Sequence, residues 1–215
     1  MLDFPGVQLT VTNEACTLTS DFPLTTLASS VVGGGFQRTR TIINRYVQRD
    51  YNCADPAGDL RSFAREESFV GMLTGVQMRH VRAVTLRHEG LTVASVITAG
   101  VSNAMAAGVN QPVPLLPGTI NIVVLIDASL AQSALVNAVI TATEAKTGAL
   151  LAHAVRTVEG YAATGTSTDA LVIACTERGA PLPYAGPATR VGYLIAASVG
   201  QCLGNILKQI DGSLE

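Results

Sequence analysis

The sequence predicts an α+β fold, in which a layered, largely antiparallel sheet packs against two long C-terminal helices and one shorter helix. Three observations predict it. Short segments rich in Thr, Val and Leu, separated by turn residues, fill the first part of the chain. Two long stretches with helical periodicity fill much of the remainder, and no regular strand–helix alternation of the doubly wound kind runs through it.

Taken in order, Val7 to Thr12, Ala15 to Ser20 and Leu24 to Ser30 read as three strands of a meander, divided at Asn13-Glu14 and Asp21-Phe22-Pro23. After Gly33-Gly34-Gly35, the stretch from Thr39 to Val47 fits a strand or a helix. A helix is predicted from about Gly58 to Met72, with Leu60, Phe63, Ala64 and Met72 near one face and Arg and Glu on the other. Val81 to Arg87 and Leu91 to Ala99 flank His88-Glu89-Gly90 and form a hairpin. Pro112, Pro114 and Pro117 mark a loop before the strand Ile120 to Ile126.

Beyond it, Ser129 with Gln132 three residues on forms a capping box, and the pattern stays helical to about Val155, with Gly148 a place where the helix could bend. Ala170 to Cys175 is a buried strand. Pro187 suits the first turn of a last helix. That helix gathers Val191, Leu194, Ile195, Val199, Cys202, Leu203 and Ile206 on one face, and beside them Gly192, Ala196, Gly200 and Gly204 recur every four residues. Glycines inside a helix cost about 1 kcal/mol each relative to Ala, so the strip calls for a close backbone contact, internal or in a homo-oligomer.

One compact domain over residues 1–215 is expected, since 48% of residues are hydrophobic, 14% are charged and no linker or repeat divides the chain. A net charge of -2 without a basic stripe argues against nucleic acid. The N-terminus lacks the pattern of a secretory signal, and the longest apolar run falls far short of the roughly 20 residues that cross a bilayer, so no membrane partner is expected and the expected location is cytoplasmic. Cysteines 16, 53, 175 and 202 and histidines 80, 88 and 153 show no metal-binding or disulfide spacing. No metal and no cofactor are expected. Gly33-Gly34-Gly35 matches neither phosphate-binding glycine pattern.

Three clusters could carry chemistry. Thr164-Gly165-Thr166-Ser167-Thr168-Asp169 places four hydroxyls, a glycine and a carboxylate directly ahead of an apolar strand. Such residues can supply a nucleophile and its base, or they can cap their own turn. Within the long helix, Asn137, Thr141, Glu144 and Gly148 share a side, which is either a solvated stripe or a site wall. Lys146 lies about 200° round from Glu144, so the two cannot face one small pocket. Finally, Thr98-Ala99-Gly100-Val101-Ser102-Asn103-Ala104 closes one strand and Gly118-Thr119-Ile120-Asn121 opens another, whose Asn121 must find backbone or substrate partners if buried.

Asn44, Ala99 to Asn103, Gly118 to Asn121, Glu144 to Thr147, Ala163 to Asp169 and Tyr184 to Thr189 together resemble the successive signature blocks of the adenosylcobinamide amidohydrolases. Where that family carries His-Thr-Lys, this chain reads Ala188-Thr189-Arg190. The resemblance implies a corrinoid substrate and hydrolysis of the amide between a corrin propionate side chain and aminopropanol, giving adenosylcobyric acid for coenzyme B12 salvage. An amide hydrolase needs a base, donors for the developing oxyanion and an acid for the amine. Glu144, Thr166 and Asp169 are the expected catalytic residues. Asn44, Ser102, Asn103, Asn121, Lys146, Thr164, Gly165 and Ser167 are the expected substrate-binding residues. Two alternatives fit the same residues: a corrinoid-binding or carrier protein without catalysis, and a Thr119 nucleophile released by cleavage after Gly118.

Overall fold

The computed structural model describes residues 2–113 and 119–211. Pro114 and Pro117 of the predicted loop, and Gly118 of the cleavage alternative, lie outside the described residues. Among those described, the elements in chain order are strands β1 (Val7–Val11), β2 (Ala15–Ala28) and β3 (Gly35–Tyr46), helix α1 (Pro56–Ala64), and strands β4 (Val70–Thr74), β5 (Arg82–His88), β6 (Leu91–Ala99), β7 (Ala104–Met105) and β8 (Ile120–Ile126). Helix α2 (Gln132–Ala152), strands β9 (Gly165–Thr166) and β10 (Ala170–Cys175) and helix α3 (Arg190–Asp211) complete the chain.

Eight strands form one mixed sheet in the order β4-β3-β2-β10-β8-β6-β5, with β1 also paired to β2. All its pairings are antiparallel except β3 with β4 and β8 with β10. β1 and β10 lie end to end along one edge of β2, which shifts register between Thr19 and Leu24. The sheet bends there. The two strands predicted at 15–20 and 24–30 are therefore one strand with an irregularity, because Asp21-Phe22-Pro23 bulges without turning the chain back.

That bend stacks one part of the sheet on the other. Even-numbered residues of β6 and β10 and odd-numbered residues of β8, such as Val96, Val172 and Val123, pack against Leu18, Leu24, Ile42 and Met72 of the folded-over strands. The opposite side of β6, β8 and β10, with Val93, Ile97, Ile122, Val124 and Ile173, packs on α2 and α3. α1 covers the far side of the folded-over strands through Leu60 against Ile43 and Phe69. Four layers result: helix pair, central strands, folded-over strands, short helix. Every residue of β8 is buried, which accounts for its unbroken apolar run apart from Asn121.

Several local expectations are corrected or decided. The helix expected over 58–72 ends at Ala64, where Arg65 takes a left-handed φ of 55° as a C-terminal cap, and the chain resumes as β4 paired with β3. Helical and strand spacing coincide over so short an apolar run. The stretch 39–47, open between two readings, lies within β3 except for Val47. Ser129 does not cap α2, whose N-terminal flank is Ala131; its hydroxyl instead bonds Glu177 at 3.1 Å. Pro187 lies ahead of α3, and the Thr189 hydroxyl accepts from the Gly192 amide at 3.0 Å as the cap. α2 also runs unbroken through Gly148 and stops at Ala152.

Candidate active site

The site grows out of one register. β8 and β10 are parallel neighbours with Asn121 opposite Ala170, so the residues that precede them, Ile120 and Asp169, come side by side. The Ile120 amide donates to Asp169 Oδ1 at 3.1 Å. The 166–169 segment turns back on itself, and the Thr166 amide donates to both Asp169 oxygens at 3.2 Å while the Thr166 hydroxyl donates to Oδ1 at 2.5 Å. The Lys146 ammonium reaches down from α2 to Asp169 Oδ2. One carboxylate thus gathers a hydroxyl, an ammonium and two backbone amides.

The Lys146 and Asp169 side chains are 12% and 19% exposed, so their attraction is screened far less than that of a surface pair. Gly165 makes room for them. A Cβ there would sit 2.5 Å from Asp169 Oδ2 and 2.7 Å from Lys146 Nζ. The Thr147 hydroxyl, next along α2, donates to the Thr164 carbonyl at 3.1 Å and fixes the loop beneath the helix.

β7 and β9 pair Ala104 with Thr166 and Met105 with Gly165, which brings the 100–113 loop against the turn. Asn103 Nδ2 donates to Ser167 Oγ at 2.7 Å, and the Thr164 hydroxyl accepts from the Ala107 amide at 2.9 Å. Ser102 is exposed beside Asn103 at the lip.

Beneath lies a buried polar network that joins the two sheet layers. Asn121 Nδ2 donates to Asn44 Oδ1 and to the Leu73 carbonyl, both at 2.8 Å, and Asn44 Nδ2 donates to the Thr98 hydroxyl at 2.9 Å. The Thr119 hydroxyl lies 2.6 Å from the Thr168 carbonyl and 3.0 Å from Asn121 Oδ1, linking network to turn. Asn44 and Asn121 are 6% and 1% exposed, so their amides bind protein and brace the floor of the site.

The structure therefore collects Thr164, Gly165, Thr166, Ser167, Asp169, Lys146 and Asn103 in one place, with Asn121 and Asn44 below. It leaves Glu144 apart. That side chain is exposed on the solvent face of α2 and makes no hydrogen bond or ion pair among the described residues, while Lys146 turns inward, as their angular separation requires. The block from Tyr184 to Thr189 also stays off the turn, docking on α2 where Thr141 Oγ1 donates to the Ala185 carbonyl.

Four partners were not legible beforehand: the Ile120 amide, the Thr147 hydroxyl, Thr98 as acceptor for Asn44, and the Thr168 carbonyl beside Thr119. The first and last are backbone groups, which every residue carries and no motif can flag. Among the described residues no three His, Cys, Asp or Glu side chains come together, and no helix is long and apolar enough to cross a membrane.

A family model described as adenosylcobinamide amidohydrolase matches residues 5–213. The adenosylcobinamide amidohydrolase of Methanosarcina mazei is 35% identical over 184 residues, covering 80% of this chain and 84% of that protein. The protein of the same name from Halobacterium salinarum is 35% identical over 158 residues, covering 70% of this chain and 64% of its own length. Among solved structures, a Burkholderia sp. beta-aminopeptidase resembles the fold with a TM-score of 0.49 at 12% identity, over 94% of this chain and 84% of that one.

Proposed function

The chain belongs to the adenosylcobinamide amidohydrolase family and hydrolyses an amide bond, and we propose that it cuts the amide between a corrin propionate side chain and aminopropanol, releasing adenosylcobyric acid for return to coenzyme B12 assembly in the cytoplasm. The observation that carries this reading is the Thr166 hydroxyl donating to Asp169 Oδ1 at 2.5 Å, with the Lys146 ammonium on the other oxygen. Nucleophile, base and cation stand in hydrogen-bonded sequence.

Asp169 takes the Thr166 proton as Oγ1 bonds to the amide carbonyl carbon. Lys146 has N–H donors beyond the one given to Asp169 and stabilises the negative charge that develops on the carbonyl oxygen. Collapse breaks the C–N bond, the amine nitrogen takes the proton from Asp169, and aminopropanol departs. Water then adds to the Thr166 ester with Asp169 again accepting a proton, and cleavage of the ester C–O bond frees the corrinoid acid and restores the Thr166 hydroxyl. Asn103, Ser102, Ser167 and Thr164 line the entrance, where corrin side-chain amides can be gripped, with Gly165 keeping the floor open and Asn44 and Asn121 holding it.

Aminopropanol release from adenosylcobinamide by Thr166→Ala and Asp169→Asn tests this directly. Each is expected to lower kcat by at least about 100-fold, with Thr166→Ser retaining activity. Near-normal rates in both overturn the mechanism. A collapse in Glu144→Gln with Asp169→Asn intact would move the proton path to the exposed side of α2.

A further inference from the structure

The two loops that meet at the catalytic turn carry large apolar side chains that the fold leaves uncovered. Val158 is 90% exposed, Val109 50% and Tyr161 48%. Val158 buries almost nothing inside the protein and the other two only about half of their surface, and exposed apolar groups near a polar site mark a binding surface.

The loops are tied together by hydrogen bonds. Asn110 Nδ2 donates to Glu159 Oε2 at 2.7 Å, joining the chain neighbours of Val109 and Val158, and Asn110 Oδ1 accepts from the Ala106 amide at 2.7 Å. Residues 157–161 form a closed turn: the Gly160 amide donates to the Thr157 carbonyl and the Thr157 amide to the Tyr161 carbonyl, each at 2.9 Å, while Thr157 itself is buried. Gly160 sits at φ 89°, which suits glycine. Val158 and Tyr161 are thus presented outward from an anchored frame. The Thr164 amide and hydroxyl bond Met105 and Ala107, so the loop that runs on into the Thr166–Asp169 turn is joined there to the other.

We propose that Val109, Val158 and Tyr161 form an apolar rim that receives the flat hydrophobic face of the corrin macrocycle and determines specificity for it; this rests on the hydrolytic reading above. The scissile carbonyl hangs on two methylenes, which puts the ring edge about 4 Å from the reacting carbon. A ring so close must lie on whatever surrounds Thr166. Tyr161 is five residues from Thr166, so their Cα atoms are at most about 18 Å apart even with the chain fully extended. The Met105–Gly165 pair sets Val109 four residues along the chain from a partner of that turn, the Asn110–Glu159 bond joins the 157–161 turn to the same loop, and a tyrosine can lay its ring on a conjugated plane while keeping its hydroxyl in water.

The experiment measures kcat and KM for adenosylcobinamide, and the Kd for adenosylcobyric acid by equilibrium dialysis, since the acid keeps the ring but lacks the scissile amide. The double variant Val158→Asp/Tyr161→Ser is expected to raise both KM and Kd about tenfold, equivalent to about 1.4 kcal/mol, with kcat within about twofold. Val109→Asp, on the other loop, is expected to act in the same direction. The α2 surface variant Ile140→Ser is expected to bind as wild type. KM and Kd within about twofold of wild type in the double variant and in Val109→Asp overturn the rim while leaving hydrolysis intact. A wild-type protein that binds both corrinoids without releasing aminopropanol overturns the hydrolytic reading and leaves the rim standing, and one that neither binds nor cleaves overturns both.

Discussion

Gly165→Ala isolates the geometry of the proposed catalytic turn from the chemistry of its side chains. Gly165 has no positive φ, so alanine meets no backbone penalty, and its methyl would meet Asp169 Oδ2 at 2.5 Å and Lys146 Nζ at 2.7 Å. Ordinary contact begins near 3.4 Å. Each charged end must therefore retreat by about 1 Å, a displacement that costs about 100-fold when a reacting group is misplaced. Both obstructing atoms are ends of flexible side chains, so they can move without unfolding the loop. Weakening the pair without breaking it costs part of the roughly 3–5 kcal/mol that loss of a buried partner costs. The smaller entropy of the unfolded alanine chain offsets about 0.4–1 kcal/mol of that. A net loss of about 2 kcal/mol lowers Tm by about 4–8 °C. Aminopropanol release and thermal unfolding, measured side by side, should then show kcat/KM down at least about 100-fold in a protein that is still folded. Turnover within about threefold of wild type would refute the assignment of Lys146 and Asp169 to the reacting cluster.

Two of the three glycines in the α3 strip should respond in opposite ways: Gly192→Ala drives a methyl into the Gly186 carbonyl and is expected to cost about 1–3 kcal/mol, whereas Gly200→Ala meets nothing within 4 Å and is expected to stabilise by up to about 1 kcal/mol, both read by denaturant unfolding. Burial pushes the Cys16 and Cys202 thiols up to about 12 and raises Cys175 as well, so alkylation of the native protein at pH 8 should modify Cys53 and spare the other three until denaturant is added. In acid, three carboxyls held below their ordinary values should give up stability. The hydrogen bond and charge of Arg87 lower Asp3, Tyr51 and then Arg45 lower Asp59, and hydrogen bonds from Thr157, its own backbone and Asn110 lower Glu159. A lowered native pKa means stability that is present above the ordinary values of 3.8 for Asp and 4.5 for Glu and lost as pH falls through the native ones, so unfolding midpoints should be level above pH 5 and fall below about 4. Removing Asn110 should shrink the Glu159 share of that fall.

The sequence by itself determined the α+β class and most of its elements. The short connection between β5 and β6, the unbroken apolar run of β8, buried on both faces, and the helical spacing of α2 and α3 each follow from the local order of side chains. It also marked the 164–169 segment and separated Glu144 from Lys146 by helix angle alone. Only the tertiary structure decided which of those groups meet. The parallel register of β8 and β10 sets Asp169 beside the Ile120 amide, the β7–β9 pair brings Asn103 to Ser167, and α2 lays Lys146 over Gly165. The fold-over of the sheet at 19–24 joins Asn44 to Asn121, residues 77 positions apart. These contacts arise from strand pairing and layer stacking between distant segments. Their partners are often backbone groups common to every residue, so local spacing holds no record of them.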